Sequence, residues 1–158
     1  MGMKMTGQSI DRVLTLLGKA NNDVENVVAE VYAETGESVV GKIRSGEISN
    51  WQDITGNLRS SIGYAVCRKG RIIKTSEFEI VLNGADGASK GRELCKTLAS
   101  RYSSYDFALI IVAGEEYAVY VEAVENRVVL AGGQLLLKQN MTGMLQNKIR
   151  KVLKKYEK

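Results

Sequence analysis

Residues 63–82, Gly63-Tyr64-Ala65-Val66-Cys67-Arg68-Lys69-Gly70-Arg71-Ile72-Ile73-Lys74-Thr75-Ser76-Glu77-Phe78-Glu79-Ile80-Val81-Leu82, decide the fold class. Two runs rich in β-branched and aromatic residues, Gly63–Cys67 and Arg71–Leu82, flank Arg68-Lys69-Gly70. That tripeptide reads as a three-residue hairpin turn with glycine where a positive φ is needed. Phe78, Ile80 and Leu82 alternate with Glu77, Glu79 and Val81, which predicts a half-buried continuation of the second strand.

On the N-terminal side, Ile10, Val13, Leu17, Ala20, Val24, Val27 and Val31 recur at alternating spacings of three and four. Such residues fall on one stripe of a helix. The pattern predicts a helix from Ser9 to about Ile43, with Ser9 as N-cap, Asp11 in the first turn and Gly36 or Gly41 as points of loosening. At 1.5 Å per residue it spans about 50 Å. That is too long to be fully covered by the rest of the chain. Two expectations stay open: part of it packs against another chain, or it lies across its own sheet. The polar stretch Arg44–Asn57 reads as a loop anchored by Trp51. Thr55 is placed to cap a helical turn from Gly56 to Ile62 that buries Leu58 and Ile62.

On the C-terminal side, Asn83–Lys90 reads as a small-residue loop. Leu94, Cys95, Leu98, Ala99 and Tyr102 mark a helix face near Ser89–Tyr102. Phe107–Ala113 is a near-continuous apolar run, read as a central strand. Glu115–Val124 fits a strand or a helical face equally, and Arg127–Leu130 reads as a last short strand. Gly132-Gly133 opens a final helix with Leu137, Met141, Met144, Leu145, Ile149, Val152 and Tyr156 on its apolar side. The expectation is one α+β domain over residues 1–158. A long N-terminal helix (9–43) and a C-terminal helix (132–157) pack on one face of a small, mainly antiparallel β-sheet within a β-rich body (55–130), with an inserted helix at 89–102.

Composition narrows the chemistry. The 158 residues are 44% hydrophobic and 25% charged, ordinary for a domain that buries its own core. There is no run of about 18 apolar residues to span a membrane. Met1–Ile10 has no apolar core of a signal peptide. Histidine and proline are absent. Without histidine, Ser-His-Asp and Cys-His catalysis and the usual zinc sites are excluded, and two cysteines cannot build an all-cysteine site. Cys67 and Cys95 read as small core residues. The net charge of +4 is uneven: Lys138–Lys158 holds seven basic residues and one acid, Glu157. Lys148, Arg150, Lys151, Lys154 and Lys155 form a candidate nucleic-acid-facing surface, against the plainer reading of a solvated helix face with cations near its C-terminus.

The remaining motifs are weak. Gly84-x-x-Gly87-x-x-x-Gly91 with Lys90 lacks the Ser/Thr and the glycine spacing of a phosphate loop. Asn83, Asp86 and Ser89 do not follow calcium-loop spacing. Glu115, Glu116 and Glu122 are the densest carboxylates near the presumed core. They lack partners for acid–base or hard-metal work and default to exposed or edge positions. Tyr102, Tyr105, Tyr117 and Tyr120 do not interleave with Lys or Arg as a base-stacking platform does, and read as core or interface aromatics.

Two segments are more specific together. Thr55-Gly56-Asn57-Leu58-Arg59-Ser60-Ser61-Ile62 follows the long helix by about a dozen residues. Tyr117-Ala118-Val119-Tyr120-Val121-Glu122 lies some 55 positions later, ahead of the amphipathic C-terminal helix. This order resembles the head–tail joining, or tail-completion (neck), family of tailed bacteriophages, whose members carry an Asp-Thr-Gly-Asn-Leu-Arg-like motif and a Tyr-Ala-x-Tyr-Val-Glu motif. The chain departs from that pattern at Ile54, where the family usually has Asp and Asp53 stands one residue earlier. It departs again at Ala123-Val124-Glu125-Asn126, where relatives carry an aromatic, a Gly-Thr turn and a proline. The resemblance implies a structural virion protein, not an enzyme, with no cofactor and no metal. It implies a homo-oligomeric ring made by head-to-tail contacts. The implied partners are the portal-adaptor or connector and the tail-tube or tail-terminator proteins, with a passing contact with DNA and none with a membrane. The implied location is the virion neck, with the host cytoplasm during assembly. On this resemblance, Thr55, Gly56, Asn57, Leu58, Arg59 and Ser60, with Tyr117, Ala118, Tyr120, Val121 and Glu122, set the angle between helices and sheet. Glu122 is expected to accept a hydrogen bond from the Thr55–Asn57 turn or from Arg59. The alternative function is a nucleic-acid-binding module using the basic C-terminal helix.

Overall fold

The computed structural model describes residues 7–48, 51–118 and 129–157. Its elements are α1 (Gly7–Ser45), α2 (Asn57–Ser61), β1 (Ile62–Arg68), β2 (Arg71–Thr75), α3 (Ala85–Arg101), β3 (Phe107–Ala113) and α4 (Ala131–Leu153). This is the α+β architecture expected, with long N- and C-terminal helices and a small antiparallel sheet. No helix among the described residues is long and apolar enough to cross a membrane.

Strand order is β2-β1-β3, antiparallel throughout. Arg68 pairs with Arg71, so the hairpin turn is the dipeptide Lys69-Gly70, not the expected tripeptide. Both residues have positive φ (48° and 78°), the requirement of a type I′ turn matched to strand twist. A bulge between Val66 and Cys67 shifts the register of the hairpin.

The central strand is β1, not the expected Phe107–Ala113. Every residue of β1 from Ile62 to Cys67 is buried, whereas β3 lies at the outer side of the described sheet. The apolar run of β3 has another cause: helices cover both of its faces. Ile62, Tyr64 and Val66 face a cluster with Val39, Val40, Ile43, Leu58 and Leu109. Their alternates Ala65 and Cys67 face a second cluster with Phe78, Ala88, Cys95, Ala99 and Ile110. The helices therefore do not sit on one face. α1 packs on one side of the sheet and α3 on the other.

Small residues explain the α3 face. A Cβ on Gly91 would lie 2.4 Å from the Ser61 carbonyl oxygen and 2.5 Å from the Phe78 ring. One on Gly87 would lie 2.0 Å from the Asn57 carbonyl oxygen. Of the stretch expected as an Asn83–Lys90 loop, Asn83 and Gly84 are a turn and residues 85–90 are the start of α3, four residues ahead of the expected Ser89. Its glycines let the helix approach the backbone of α2, and Asn57 Oδ1 accepts a hydrogen bond from the Gly87 amide. Tertiary packing here overrides low helix propensity.

Residues 76–82 are not a strand. Phe78 is buried, but Ile80 and Leu82 are exposed and Leu82 has φ 52°. The Ser76 amide still donates to the Tyr64 carbonyl, and beyond it side chains serve much of this backbone: Arg44 and Arg92 donate to the Glu79 and Phe78 carbonyls, and Ser60 Oγ accepts from the Val81 amide.

Helix α1 begins two residues before Ser9, so that residue is not its cap, and it passes Gly36 and Gly41 unbroken. It ends at Gly46, whose φ of 83° lets the Gly46 and Glu47 amides reach back to the Ile43 and Lys42 carbonyls. Helix α4 runs antiparallel along α1. Gly133 abuts Val39 and Ile43, Lys148 pairs with Glu34 at 2.7 Å, and the Tyr156 hydroxyl donates to Asp23 at 2.9 Å. Beyond Asp23, α1 continues alone: the described side chains from Gly7 to Lys19 are all exposed. Of the segment expected as a strand at Arg127–Leu130, Val129 and Leu130 are not in a strand, and residues 127–128 lie outside the described residues.

Candidate functional site

The turn from Trp51 to Ser61 is built around one carboxylate. Asp53 Oδ1 accepts from the Gly56 amide at 2.9 Å, and Oδ2 accepts from the Arg59 amide at 2.7 Å. These are amides that the start of α2 would otherwise leave unpaired. Thr55, the expected cap, has a lesser part: its Oγ1 accepts from the Asn57 amide at 3.2 Å. Gly56 sits at φ 85°, and a Cβ there would lie 1.9 Å from the Val81 carbonyl oxygen. Leu58 is fully buried in the α1-side core, as expected, and so is Ile62. Ser60 is buried with its hydroxyl on the Val81 amide. The Arg59 guanidinium stacks over the buried Trp51 ring at 5.6 Å. Trp51 Nε1 and Arg59 Nε are buried without an acceptor among the described residues.

The second segment returns to this turn. The Gly114 amide donates to the Ser61 carbonyl and the Glu115 amide to Ser61 Oγ. Tyr117 is 41% exposed, not a core aromatic, and its hydroxyl lies toward the Thr55 side chain and the Leu58 backbone, which favour its ionised form. Burial pushes its pKa up, the charges of Glu115 and Asp53 push the same way, and Thr55 and the Leu58 backbone oppose them. Ala118 is buried in the same cluster as Trp51 and Leu58. Thr55, Gly56, Asn57, Leu58, Arg59, Ser60, Tyr117 and Ala118 are thus one assembly. Tyr120, Val121 and Glu122 lie outside the described residues, as does most of the Glu115–Val124 segment.

The chain matches no family model, no curated protein and no solved structure at a significant level.

The other candidates separate. Glu115 is not exposed as expected: it is 5% exposed, and its carboxylate meets Lys90 Nζ at 3.1 Å. Lys90 also meets Asp86 at 2.8 Å. Hydrogen bonds first from Asp86 and then from Glu115 push the Lys90 pKa up, so it stays cationic at neutral pH and is a poor general base. Among the described residues no three of His, Cys, Asp or Glu cluster as a metal site. Cys67 and Cys95 are free and buried in the α3-side core, and burial raises both thiol pKa values, that of Cys95 to about 12. They are packing residues with little thiolate. Tyr102 and Tyr105 lie on each other at 6.0 Å and are exposed, so they are not core aromatics. On α4, Lys148 is engaged with Glu34, whereas Arg150, Lys151, Lys154 and Lys155 are exposed.

Sequence reasoning missed Asp53 and the Trp51–Arg59 stack. A signal for the first exists: an Asp side chain caps amides two or three residues on, and Asp53 precedes Gly56 by three.

Proposed function

We propose that this chain is a structural protein of the tailed-bacteriophage head–tail junction, assembling into a ring that links the portal-adaptor complex to the tail. The observation that carries the reading is the junction of the two motif segments. The Gly114 and Glu115 amides donate to Ser61, Tyr117 lies toward Thr55, and Ala118 packs in one cluster with Leu58, although 59 positions separate Thr55 from Gly114. A motif pair that builds one corner between helix and sheet suits a scaffold more than a catalyst. The site offers a carboxylate cap, a guanidinium stacked on an indole and, among the described residues, no activated nucleophile. Loss of the gene from a phage genome is expected to leave filled heads detached from tails in negative-stain images. Normally tailed particles from that genome overturn the reading.

A second reading, a nucleic-acid-binding module, draws support from the exposure of Arg150, Lys151, Lys154 and Lys155 on α4. It requires duplex or single-strand binding that weakens steeply with salt and is lost on replacing Lys151, Lys154 and Lys155 with Gln. No binding at low salt removes it.

A further inference from the structure

Tyrosines and cations that lie far apart in the sequence meet at one end of the sheet. The Lys69 amide donates to the Tyr105 carbonyl at 3.2 Å, and a Cβ on Gly70 would lie 3.0 Å from Ser103 Cβ. The hairpin turn therefore sits against the connection between α3 and β3. Residues 68–74 and 101–107 together hold five cations and one acid, Asp106.

These cations are unequal. Arg68 is engaged: it pairs with Glu25 of α1 and lies 5.8 Å from the centre of the Phe107 ring. Lys69 meets Asp106 only at 3.9 Å, with both side chains largely in water, where such a pair is worth little. Arg71, Lys74 and Arg101 are exposed and make no ion pair among the described residues. Four positive charges are thus open to an outside anion. Cations on an edge strand also discourage edge-to-edge pairing, and β2 is an edge of the described sheet. That role accounts for Arg71 and Lys74, but not for the aromatic surface beside the turn.

Tyr102 and Tyr105 are 40% and 60% exposed, with ring centres 6.0 Å apart and planes tilted by 50°. A tilted pair half in water keeps ring surface available to a third planar group. On the α1 side of the hairpin lies an open recess of about 270 Å³. Ala29, Ile73 and the Phe107 ring give it apolar walls, and Asn26 and Lys74 add an amide and a charge. The Asn26 carboxamide has no hydrogen-bond partner among the described residues. Glu25 also borders the recess, so the recess suits a neutral planar group better than a phosphate.

We propose that this end of the sheet binds single-stranded nucleic acid. Bases stack on Tyr102 and Tyr105, phosphates cross the hairpin on Lys69, Arg71 and Lys74, and a further base enters the recess, where Asn26 hydrogen-bonds its edge. Open cations beside open ring faces are what a strand needs when its backbone is tracked and its bases are stacked. An acidic protein would use the cations alone, and a duplex keeps its base faces stacked inside. The surface lies apart from α4 and from the Thr55–Tyr117 corner, so it stands or falls separately from both readings above.

The test is fluorescence anisotropy of the full chain with a labelled single strand of about twelve thymidines at about 50 mM salt. Binding is expected, and with three or four phosphates neutralised a tenfold rise in salt weakens it on the order of a hundredfold or more. Tyr102→Ala and Tyr105→Ala each weaken it about tenfold, whereas Tyr102→Phe and Tyr105→Phe, which keep the ring, leave it near the wild-type value. Lys69→Gln with Arg71→Gln weakens binding and lowers the salt slope by about 1.4. All four side chains are exposed, so the melting temperature holds. No binding at low salt overturns the proposal. So does full binding by the Tyr102→Ala, Tyr105→Ala double variant, tighter binding of the matching duplex, or equal competition by poly-glutamate, which would mark a surface for acidic proteins. Loss of binding on replacing Lys151, Lys154 and Lys155 with Gln, with the tyrosine and hairpin variants unaffected, assigns the strand to α4; it overturns this proposal and upholds the second reading.

Discussion

The two ends of α1 share one apolar repeat and one unbroken helix, yet they live in different surroundings. From Val31 to Ile43 the stripe is sealed between β1, β3 and α4, with Val31, Val40 and Ile43 almost without solvent contact. From Ile10 to Leu17 the same stripe faces water. Periodicity is a property of the helix and announces a partner; it does not say which partner. The buried half finds its partner in the chain itself, and the arm does not. Substituting equivalent residues in the two halves measures that difference.

The largest difference is expected for the pair Ile43→Ala and Leu17→Ala. Removing a fully buried isoleucine costs about 2–5 kcal/mol, from lost transfer energy and the cavity left behind. The arm substitution stays within about 0.5 kcal/mol, because nothing packs there in the lone chain and alanine is the better helix former. Urea unfolding at low protein concentration reads both. Equal losses would mean that the arm is folded against its own body.

Gly36→Ala comes next. In an open helix this change helps by about 1 kcal/mol. Here the new methyl would stand 2.7 Å from the Tyr64 ring and 3.1 Å from Leu109, and Tyr64 is buried. Overpacking of that kind costs about 1–3 kcal/mol, so the net sign is destabilising. A stabilised variant would show that the Tyr64 ring moves aside freely.

These contrasts explain what was legible. The long helix was readable because seven residues repeat at helical spacing, and the hairpin because Lys69-Gly70 interrupts two β-rich runs. The start of α3 was not, because Gly84, Gly87 and Gly91 look like loop residues until the backbone of α2 and Ser61 is brought against them. The central position of β1 was hidden for a related reason. Gly63, Ala65 and Cys67 are too small to look like a buried face, yet smallness is what admits the Phe78 ring and α3. In the site, Thr55, Leu58 and Tyr117 could be picked out as motif residues. Their contact could not, nor could the use of Asp53 in place of Thr55 as the main cap. Both depend on pairings across the fold that local spacing does not encode.

A thiol probe extends the contrast. Cys95 lies in the packed body, where burial, then neighbouring Cys67, raises its pKa from 9.0 to about 12. At pH 8 a thiol reagent is expected to label a Leu14→Cys arm at once, and to leave Cys67 and Cys95 untouched until the chain unfolds. The linkage has a definite sign. The folded state holds this proton more tightly than the unfolded chain, so the contribution is complete below pH 9. It is lost as pH rises from 9 towards 12, and unfolding in that window should become easier. Rapid labelling of the native cysteines at pH 8 would mean that the α3 face opens readily.

The smallest effect, and the most discriminating, belongs to Gly18→Ala. A methyl there meets nothing within 4 Å, as at Gly41, and its φ is not in the left-handed region. The change removes backbone entropy from the unfolded chain and is worth about 0.5–1 kcal/mol to the helix. Whether that gain reaches the whole molecule depends on how the arm is coupled to it. An arm without tertiary contacts frays on its own, so the stabilisation stays local. Amide protection around Gly18 should rise about two- to fivefold while the melting temperature of the dilute chain holds still. A rise in the melting temperature of the dilute chain would instead mean that the arm unfolds together with the packed half, and the division of α1 into two surroundings would fail.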